Sequence, residues 1–428
     1  MNGWRDIKLK EVSEYVTVGF VGSMADQYVE AGVPFLRSLN IQPFRLNYND
    51  LKYIPESFHD AIKKSKLRPG DVAIVRTGYP GTACVIPADL PDANCSDLVI
   101  LRPGPELNPH YIAAVFNSSF GQSLVGGNLV GAAQQHFNVT VAKELKLRLP
   151  PRTEQDKIAA VLVGLNDLIA NNQRRIALLE SMAEEIYREW FLRMRFPGAK
   201  SAVFEKGVPT DWTHEPILDA FKYYGGATPA KDNPRFWVDG EVHWYTPTDV
   251  TGASSPYLEE SADKCTDEGL QNCSANLFPA HSIMMTSRAT IGAIGINCAP
   301  ACTNQGFITC IPNQRYPLTY LYHWLKLAKP HFEMLSGGAT FTELTKGTFK
   351  RIRILTPPEK LVAAYEQLAR PMFDQVESLT KTNRRLRSTR DALLPRLIAG
   401  KLRVDHLDIQ FQPSMQPPTE AALAEALA

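Results

Sequence analysis

Two stretches of the chain place apolar residues at steps that alternate between four and three. Between positions 154 and 195 they are Ile158, Leu162, Leu165, Ile169, then Asn172, then Ile176, Leu179, Ala183, Ile186 and Trp190. That is the 3.5-residue period of a helix whose seam faces another helix. A continuous helix over this stretch would run roughly 60 Å at 1.5 Å per residue, too long for one globular core. It needs a partner. Leu361, Tyr365, Leu368 and Met372 begin a second seam, which resumes as Val376, Leu379, Asn383, Leu386, Arg390, Leu393 and Leu397. The step from Met372 to Val376 slips the register beside Pro371, so a kink is expected there. Each seam carries one Asn (Asn172, Asn383), a residue that fixes register and pairing when buried. Two arrangements fit: the helices pair with each other, or each packs on its own neighbouring domain with a solvated Asn.

Outside the seams the pattern changes to short alternating or wholly apolar runs, and these occur twice. Trp4 and Trp212 open two halves, each followed by a short alternating run. The segment Val33-Pro34-Phe35-Leu36-Arg37-Ser38-Leu39-Asn40-Ile41 matches Val242-His243-Trp244-Tyr245-Thr246-Pro247-Thr248-Asp249-Val250 at a constant offset. Both read as a strand entering a polar loop. Leu67 to Gly78 matches Leu277 to Arg288, with Pro69 opposite Pro279. Each copy is a turn, a buried strand and a loop holding one Arg. Cys95 and Cys302 precede strands ending at Pro103 and Pro312, and Gly131 to Pro151 aligns without a gap on Gly338 to Pro358. Both copies run into the long helices, so the order is domain, helix, domain, helix.

The expected boundaries are 1–152 for the first domain, 153–196 for the central helix, 197–209 for a linker, 210–358 for the second domain and 359–402 for the distal helix. The remainder, 403–428, reads as a poorly ordered Pro-, Gln- and Ala-rich tail. A Pro-Pro pair closes each domain and sets the entry of its helix. Thr153 with Asp156 is a candidate cap for the first helix, Phe196-Pro197-Gly198 its end, and Gly400 the end of the second.

Composition narrows the function classes. No apolar run reaches the length of a membrane span, and the N-terminus lacks a basic segment followed by an apolar one, so a soluble, cytoplasmic protein is expected. Seven cysteines without framework spacing fit a reducing compartment, and Cys298 with Cys302 lacks companions for a zinc set. Charge is balanced throughout: 15 basic against 14 acidic residues in 1–150, 8 against 7 in 151–200, 13 against 15 in 201–355 and 10 against 9 beyond. A nucleic-acid grip would therefore need its basic residues gathered on one face, or a partner that supplies phosphate contacts.

The double arrangement, the two strand-to-Pro-Pro junctions, Glu154-Gln155 after the first and Leu393-Leu394-Pro395-Arg396-Leu397-Ile398-Ala399-Gly400-Lys401-Leu402 at the close carry a resemblance. The sequence resembles the DNA-specificity subunit of type I restriction-modification systems over nearly the whole chain except the tail. The second junction departs from the family's usual Glu-Gln, reading Pro358-Glu359-Lys360. The resemblance implies an α+β chain with two similar mixed α/β target-recognition domains, joined by two long helices that form an antiparallel coiled coil. It implies a non-catalytic subunit whose domains each read half of a split double-stranded DNA target, while the helices set the spacer. It also implies docking of two adenine methyltransferase (modification) subunits and of restriction subunits with motor and nuclease activity. S-adenosylmethionine, ATP and Mg would belong to those partners, and no cofactor to this chain. The rival reading is a duplicated scaffold that binds peptide or carbohydrate.

Catalytic motifs are scarce. The Pro-Pro pairs follow Leu149, Thr356 and Gln416, so none forms the Asn/Asp-Pro-Pro-aromatic motif of an adenine methyltransferase, and there is no phosphate-binding Gly-rich loop. Asp92 with Glu144 and Lys146 makes only a forced nuclease triplet, and His110, His136 and His243 lie near no nucleophile.

Candidate DNA contacts come from the polar loops of the repeat: Arg37, Asn40, Arg76, Thr77, Tyr79, Gln134 and Gln135 in the first half, and Thr246, Thr248, Asp249, Arg288, Thr290 and Thr340 in the second. Arg suits guanine edges or phosphates, and Asn or Gln suits adenine. Lys63 and Lys64 belong to the densest basic run of the first half and either track the DNA backbone or end a solvated helix. The other reading of Asn40, Thr248 and Asp249 is as turn residues, and of Arg76 and Arg288 as ion-paired surface residues. Arg174, Arg175 and Arg188, off the seam, and the apolar Tyr187 and Phe191 near the helix end are candidates for methyltransferase docking.

Overall fold

A computed structural model describes residues 3–90, 92–127, 137–337, 342–412 and 415. The chain divides into two compact units, Met1–Ile169 with Arg385–Ala428, and Ala170–Arg384. Each boundary falls inside a long helix, Arg152–Tyr187 or Glu359–Ile398, so each unit holds part of both helices.

In the first unit, Ser13–Val18, Leu98–Pro103, Val72–Val75 and Ala83–Val85 form an antiparallel sheet in that order. A second sheet has the order Lys52–Ile54, Val33–Leu36, Ala93–Cys95, Lys66–Leu67, and its central pair is parallel. The strand Val72–Val75 is apolar throughout because both of its faces are covered. Val72 and Ile74, with Val99 and Leu101, join a core containing the helix Pro109–Asn117 and both long helices. Ala73 and Val75, with Leu98 and Ile100, join a second core with Leu36 and Cys95 of the other sheet. Successive side chains on a strand point to opposite faces, so the alternation sorts one strand between two cores.

The second unit repeats this plan. Its main sheet has the order Tyr223–Gly225, Phe307–Cys310, Ile283–Thr286, Ile294–Asn297, Tyr257–Leu258. The smaller sheet places Val242–Tyr245 between Asp263–Cys265 and Ala301–Thr303, and the latter pair is again parallel. Ile283 and Met285 face the helix-containing core, while Met284 faces the other. The ribbon Arg5–Lys8 with Lys146–Leu149 corresponds to Thr213–Pro216 with Arg353–Thr356, both antiparallel.

Hydrogen bonds fix the register of the repeat. Asn40 N to Arg37 O matches Asp249 N to Thr246 O, as the sequence alignment expects. The next segment needs a correction of one residue. Gly81 N to Val75 O (3.0 Å) corresponds to Gly292 N to Thr286 O (2.9 Å), and Gly70 N to Ile86 O (2.9 Å) to His281 N to Asn297 O (2.8 Å). Pro69 therefore lies opposite Ala280, not Pro279, and Arg76 opposite Ser287. The shared proline drew the alignment, whereas the left-handed turn residues mark the register: Gly70 and His281 have φ of 86° and 62°, and Gly78 and Ala289 83° and 56°.

The long helices pair with each other and also pack on the domain. Within the second unit Tyr365 Oη donates to Ala183 O at 3.2 Å, and Asn172 Nδ2 to Asn383 Oδ1 at 3.0 Å. One index rises as the other falls, so the pair is antiparallel, and both Asn residues are buried. In the first unit Arg390 Nη1 donates to Asn166 Oδ1 at 2.9 Å.

The predicted seams drift at their outer ends. Beyond Ala183 the buried positions are Tyr187 and Phe191, while Ile186 and Trp190 are only half-buried. In the second helix the buried face is Val362, Tyr365, Ala369, Phe373 and Val376, and Leu368 is 49% exposed. A domain core demands a wider apolar stripe than a two-helix seam. The second helix runs unbroken through an exposed Pro371.

Three local expectations also change. Regular helix ends at Tyr187 and continues as a π-turn, Arg188–Leu192, closed by Arg193 N on Arg188 O at 2.8 Å, short of Phe196. Asp156 does not pair with Thr153 but accepts from Arg152 Nε (2.7 Å) and Asn108 Nδ2 (2.6 Å). The first described stretch of the tail is packed: Val404 is buried in the first core, and Lys157 Nζ donates to Asp405 O and Leu407 O at 2.7 Å.

Candidate nucleic-acid interface

Strand directions bring the polar loops of each unit to one edge. In the first unit the parallel strands Val33–Leu36 and Ala93–Cys95 end together, and Val72–Val75 ends where Leu98–Pro103 begins and Ser13–Val18 ends. The residues that follow or join these ends are therefore neighbours. In the second unit the same logic gathers the segments after Gly225, Tyr245, Thr286 and Thr303. A close backbone approach frames each edge: a Cβ on Gly19 would meet Cys95 O at 2.8 Å, and one on Gly226 would meet Thr303 O and Asn304 O at 2.1 Å. Only glycine fits at either place.

On the first edge Arg76 Nη1 bonds Asp97 Oδ1 at 2.9 Å and Arg76 Nε bonds Phe137 O at 3.3 Å. Thr77 Oγ1 donates to Asp97 Oδ2 at 2.8 Å. Asp97 thus holds both candidates in place, with Arg76 half-buried. Beside them Tyr79 projects freely, 85% exposed. Lys63 and Lys64 are exposed in a 3₁₀ turn at the same edge, because Lys66 pairs with Asn94 and Cys95 Sγ reaches Ser65 O at 3.7 Å. Arg37 Nη2 pairs with Asp50 Oδ2 at 2.9 Å. Lys52 and then Arg37 hold the Asp50 carboxyl down at about 2 through hydrogen bonds.

Asn40 is withdrawn from contact. It is fully buried; its Oδ1 accepts from Arg37 N at 3.0 Å and its Nδ2 donates to Asn47 O at 3.0 Å. A carboxamide spent on backbone groups cannot also read a base. Asp249 is its counterpart, with Oδ2 accepting from Thr246 N and Oγ1 at 2.7 Å each and Oδ1 from Ala262 N at 2.9 Å. Both shape the loop, leaving Thr248 exposed in the first turn of the helix Pro247–Thr251.

On the second edge Arg288 Nε bonds Glu343 Oε1 at 2.9 Å, and Thr290 is exposed while its carbonyl accepts from Thr286 Oγ1. Gln134, Gln135 and Thr340 lie outside the described residues. Sequence reasoning missed Thr228 and Gln305, exposed and joined at 2.8 Å on this edge. It also missed Lys231, whose ammonium sits 3.7 Å from the Trp237 ring and 4.4 Å from that of Trp244 and pairs with Asp263 at 2.9 Å. This cation–π contact pins the segment after Gly226. The Gly225-Gly226 pair was the available signal.

Among the docking candidates, Arg174 and Arg175 are exposed, and Arg188 pairs with Glu184 at 2.7 Å. Tyr187 and Phe191 are corrected: they are 3% and 4% exposed, inside the second unit's core. Phe191 lies 5.0 Å from the rings of Tyr187 and Tyr320 and 5.4 Å from that of Tyr365. Beside them Leu192 is 53% exposed. Among the described residues no group of three His, Cys, Asp or Glu could hold a metal ion, and no helix is long and apolar enough to cross a membrane.

Comparison with known proteins gives the duplicated edges a context. The family model for the type I restriction modification DNA specificity domain matches residues 209–367. Over 94% of this chain and 100% of the other, the sequence is 22% identical to the HindI specificity subunit of Haemophilus influenzae. Along nearly its whole length the chain is thus similar to type I DNA-specificity subunits. The MjaIX specificity subunit of Methanocaldococcus jannaschii is 32% identical over 178 residues, which is 41% of each chain. The fold is similar to that of the type I S subunit from M. genitalium, with a TM-score of 0.57, 15% identity and coverage of 92% of this chain and 96% of that one. In this chain the topology repeats twice, and the two sheet edges differ in their side chains.

Proposed function

We propose that this chain is the non-catalytic, sequence-specific DNA-binding component of a type I restriction-modification complex, in which each edge reads one half of a bipartite double-stranded target. The observation that carries the reading is the duplicated edge. Equivalent backbone hydrogen bonds build the same loop frame twice, and unlike polar side chains stand on each: half-buried Arg76 and Thr77 with exposed Tyr79 on one, exposed Thr228, Arg288 and Gln305 on the other. A pair of frames with unlike side chains suits an asymmetric split sequence. The rival reading as a peptide- or carbohydrate-binding scaffold is not favoured, since the relatives similar over nearly the whole chain are specificity subunits.

In this reading the antiparallel helices set the unread spacer, much as dimer geometry sets half-site spacing in other DNA readers. Two adenine methyltransferase subunits dock on the helices and domains, with Arg174 and Arg175 exposed to receive them, and restriction subunits complete the assembly in the cytoplasm. S-adenosylmethionine, ATP and Mg serve the partners. The experiment is genome-wide mapping of methylated adenine in cells with and without this chain. A bipartite motif should appear with it and vanish without it; methylation that persists unchanged on its deletion rejects the function.

A further inference from the structure

On the second edge two exposed side chains from distant segments meet: Thr228 Oγ1 donates to Gln305 Oε1 at 2.8 Å. Other bonds fix both backbones. The segment after Gly226 is held by Ala227 N on Thr303 O at 2.9 Å, by the indole N–H of Trp244 on Ala227 O at 2.9 Å and by that of Trp237 on Ala230 O at 3.0 Å. The turn that carries Gln305 is held by Asn304 N on Tyr245 O at 3.0 Å, Gly306 N on Asn304 Oδ1 at 2.9 Å and Ser287 N on Gly306 O at 2.8 Å. Gln305 is the one member of that turn left exposed, since Asn304 is half-buried and Gly306 buried.

A surface glutamine ordinarily turns freely about its side-chain bonds, and ordering it on binding costs affinity. Here the amide is held beforehand. Thr228 takes one lone pair of Oε1, which leaves the other lone pair and both Nε2 hydrogens for a ligand. Among the described residues no other side-chain hydrogen bond engages this amide. An acceptor and a donor side by side match adenine in the major groove, where N6 donates and N7 accepts. Guanine presents two acceptors there, thymine an acceptor beside a methyl group and cytosine a donor, so each leaves half of the amide unmet or opposed. A phosphate would use the donor alone. The corresponding turn of the first edge carries Ser96 and Asp97, and Asp97 is committed to Arg76 and Thr77. This preset carboxamide therefore belongs to the second edge.

We propose that Gln305 reads one adenine of the second unit's half-site through a bidentate contact, with Thr228 as the positioning residue that presets its amide. The proposal rests on the DNA-reading function above and adds a base identity that the function alone leaves open. The competing account, a bond that only ties two loops together, predicts lost stability and an unchanged base preference.

The test uses the full chain with a methyltransferase subunit and a set of duplexes carrying the mapped target, in which each base pair of both half-sites is replaced in turn by the other three. Affinities are measured for wild type, Gln305→Ala, Gln305→Glu and Thr228→Val. Wild type should lose about 5- to 100-fold in affinity when one particular A·T pair is changed, and Gln305→Ala should erase that preference while leaving every other position as it was. Gln305→Glu should turn the preference at the same pair toward cytosine, whose N4 donates to a carboxylate. Thr228→Val keeps the shape and removes the hydroxyl, so it should blunt the preference at that pair alone. Melting without DNA should show all three variants close to wild type, because both side chains are exposed. An even loss on every duplex, a changed preference at a G·C pair, or a lower melting temperature with the preference intact overturns the adenine contact; an unchanged preference in Thr228→Val overturns the positioning role. If wild type itself distinguishes none of the duplexes, the DNA-reading function falls first and takes the contact with it.

Discussion

Phe191 gives the sharpest test of how the long helix is used, because the sequence pattern offers it to a partner subunit and the structure puts it in a core. The perturbation is Phe191→Ala. The ring is 4% exposed and meets five aromatic rings with centroids between 5.0 and 6.2 Å: Tyr187, Tyr320, Tyr365, Trp212 and Trp190. Truncating such a ring removes its transfer free energy and leaves a cavity, together about 3–5 kcal/mol. Phe191 lies in the π-turn Arg188–Leu192, a wider and more yielding element than the helix before it, so partial collapse favours the lower end, about 3 kcal/mol. A unit spanning Ala170–Arg384 loses about 2–4 °C of melting temperature per kcal/mol, giving a fall on the order of 10 °C. The assay is calorimetric or circular-dichroism melting of the chain without partners, with Leu192→Ala as the exposed neighbour, expected within about 0.5 kcal/mol of wild type. A Phe191→Ala protein that melts within about 2 °C of wild type yet no longer binds a methyltransferase subunit would show the ring to be a docking residue, and the core assignment would be wrong.

Four further outcomes follow from the same geometry. His323 is buried, with Nδ1 on Thr319 O at 2.7 Å, and burial pushes its pKa down to about 4; the unfolded chain holds the proton more tightly, so stability contributed above pH about 6.5 is lost as pH falls toward about 4, by about 3 kcal/mol, and urea titrations of His323→Leu should lack that component. Asp71 is buried and takes Arg102 bidentately at 2.8 and 2.7 Å, so Asp71→Ala should cost about 3 kcal/mol in urea unfolding, the lower end for a broken pair because Arg102 keeps some water. Gly226→Ala drives a Cβ into Thr303 O and Asn304 O and should destabilise the second unit by about 1–3 kcal/mol in melting, whereas Gly126→Ala meets nothing within 4 Å and should be neutral or better. Arg76→Ala should weaken binding to one half-site by about 1–3 kcal/mol with little change at the other; an equal loss on all DNA with a smaller salt slope would make it a phosphate contact.

The architecture was legible because it rests on periodicity, and periodicity is a property of the sequence. Steps of four and three gave two helices, and the matched strand-and-turn text gave two similar domains. Misreadings arose where one residue serves two masters. Leu368 fits a two-helix seam, yet Phe373 and Ala369 are buried instead, because the helix also covers a domain and its apolar stripe must widen. Pro69 and Pro279 look equivalent, yet hydrogen bonds pair Gly70 with His281, since backbone conformation and not residue identity is what repeats. Asn40 and Asp249 are polar beside a loop and so fit either a base contact or a turn, and the backbone they hold consumes that polarity.

Repetition of backbone with divergence of side chains is itself an argument about specificity. The frames are held by features indifferent to DNA: glycines where a Cβ would strike a carbonyl, left-handed turns at Gly78 and Ala289, and the polar caps Asn40 and Asp249. On those frames Arg76 stands opposite Ser287 and Thr77 opposite Arg288, and the turn of Ser96 and Asp97 opposite a longer one of Asn304, Gln305 and Gly306. A change at a frame position must act through folding and weaken every duplex, whereas a change at a standing side chain can alter one half-site alone. Exchanging Thr77 and Arg288 between the edges should therefore move base preference between half-sites without shifting the melting temperature, and the same exchange at Asn40 and Asp249 should lower the melting temperature before any preference can be measured.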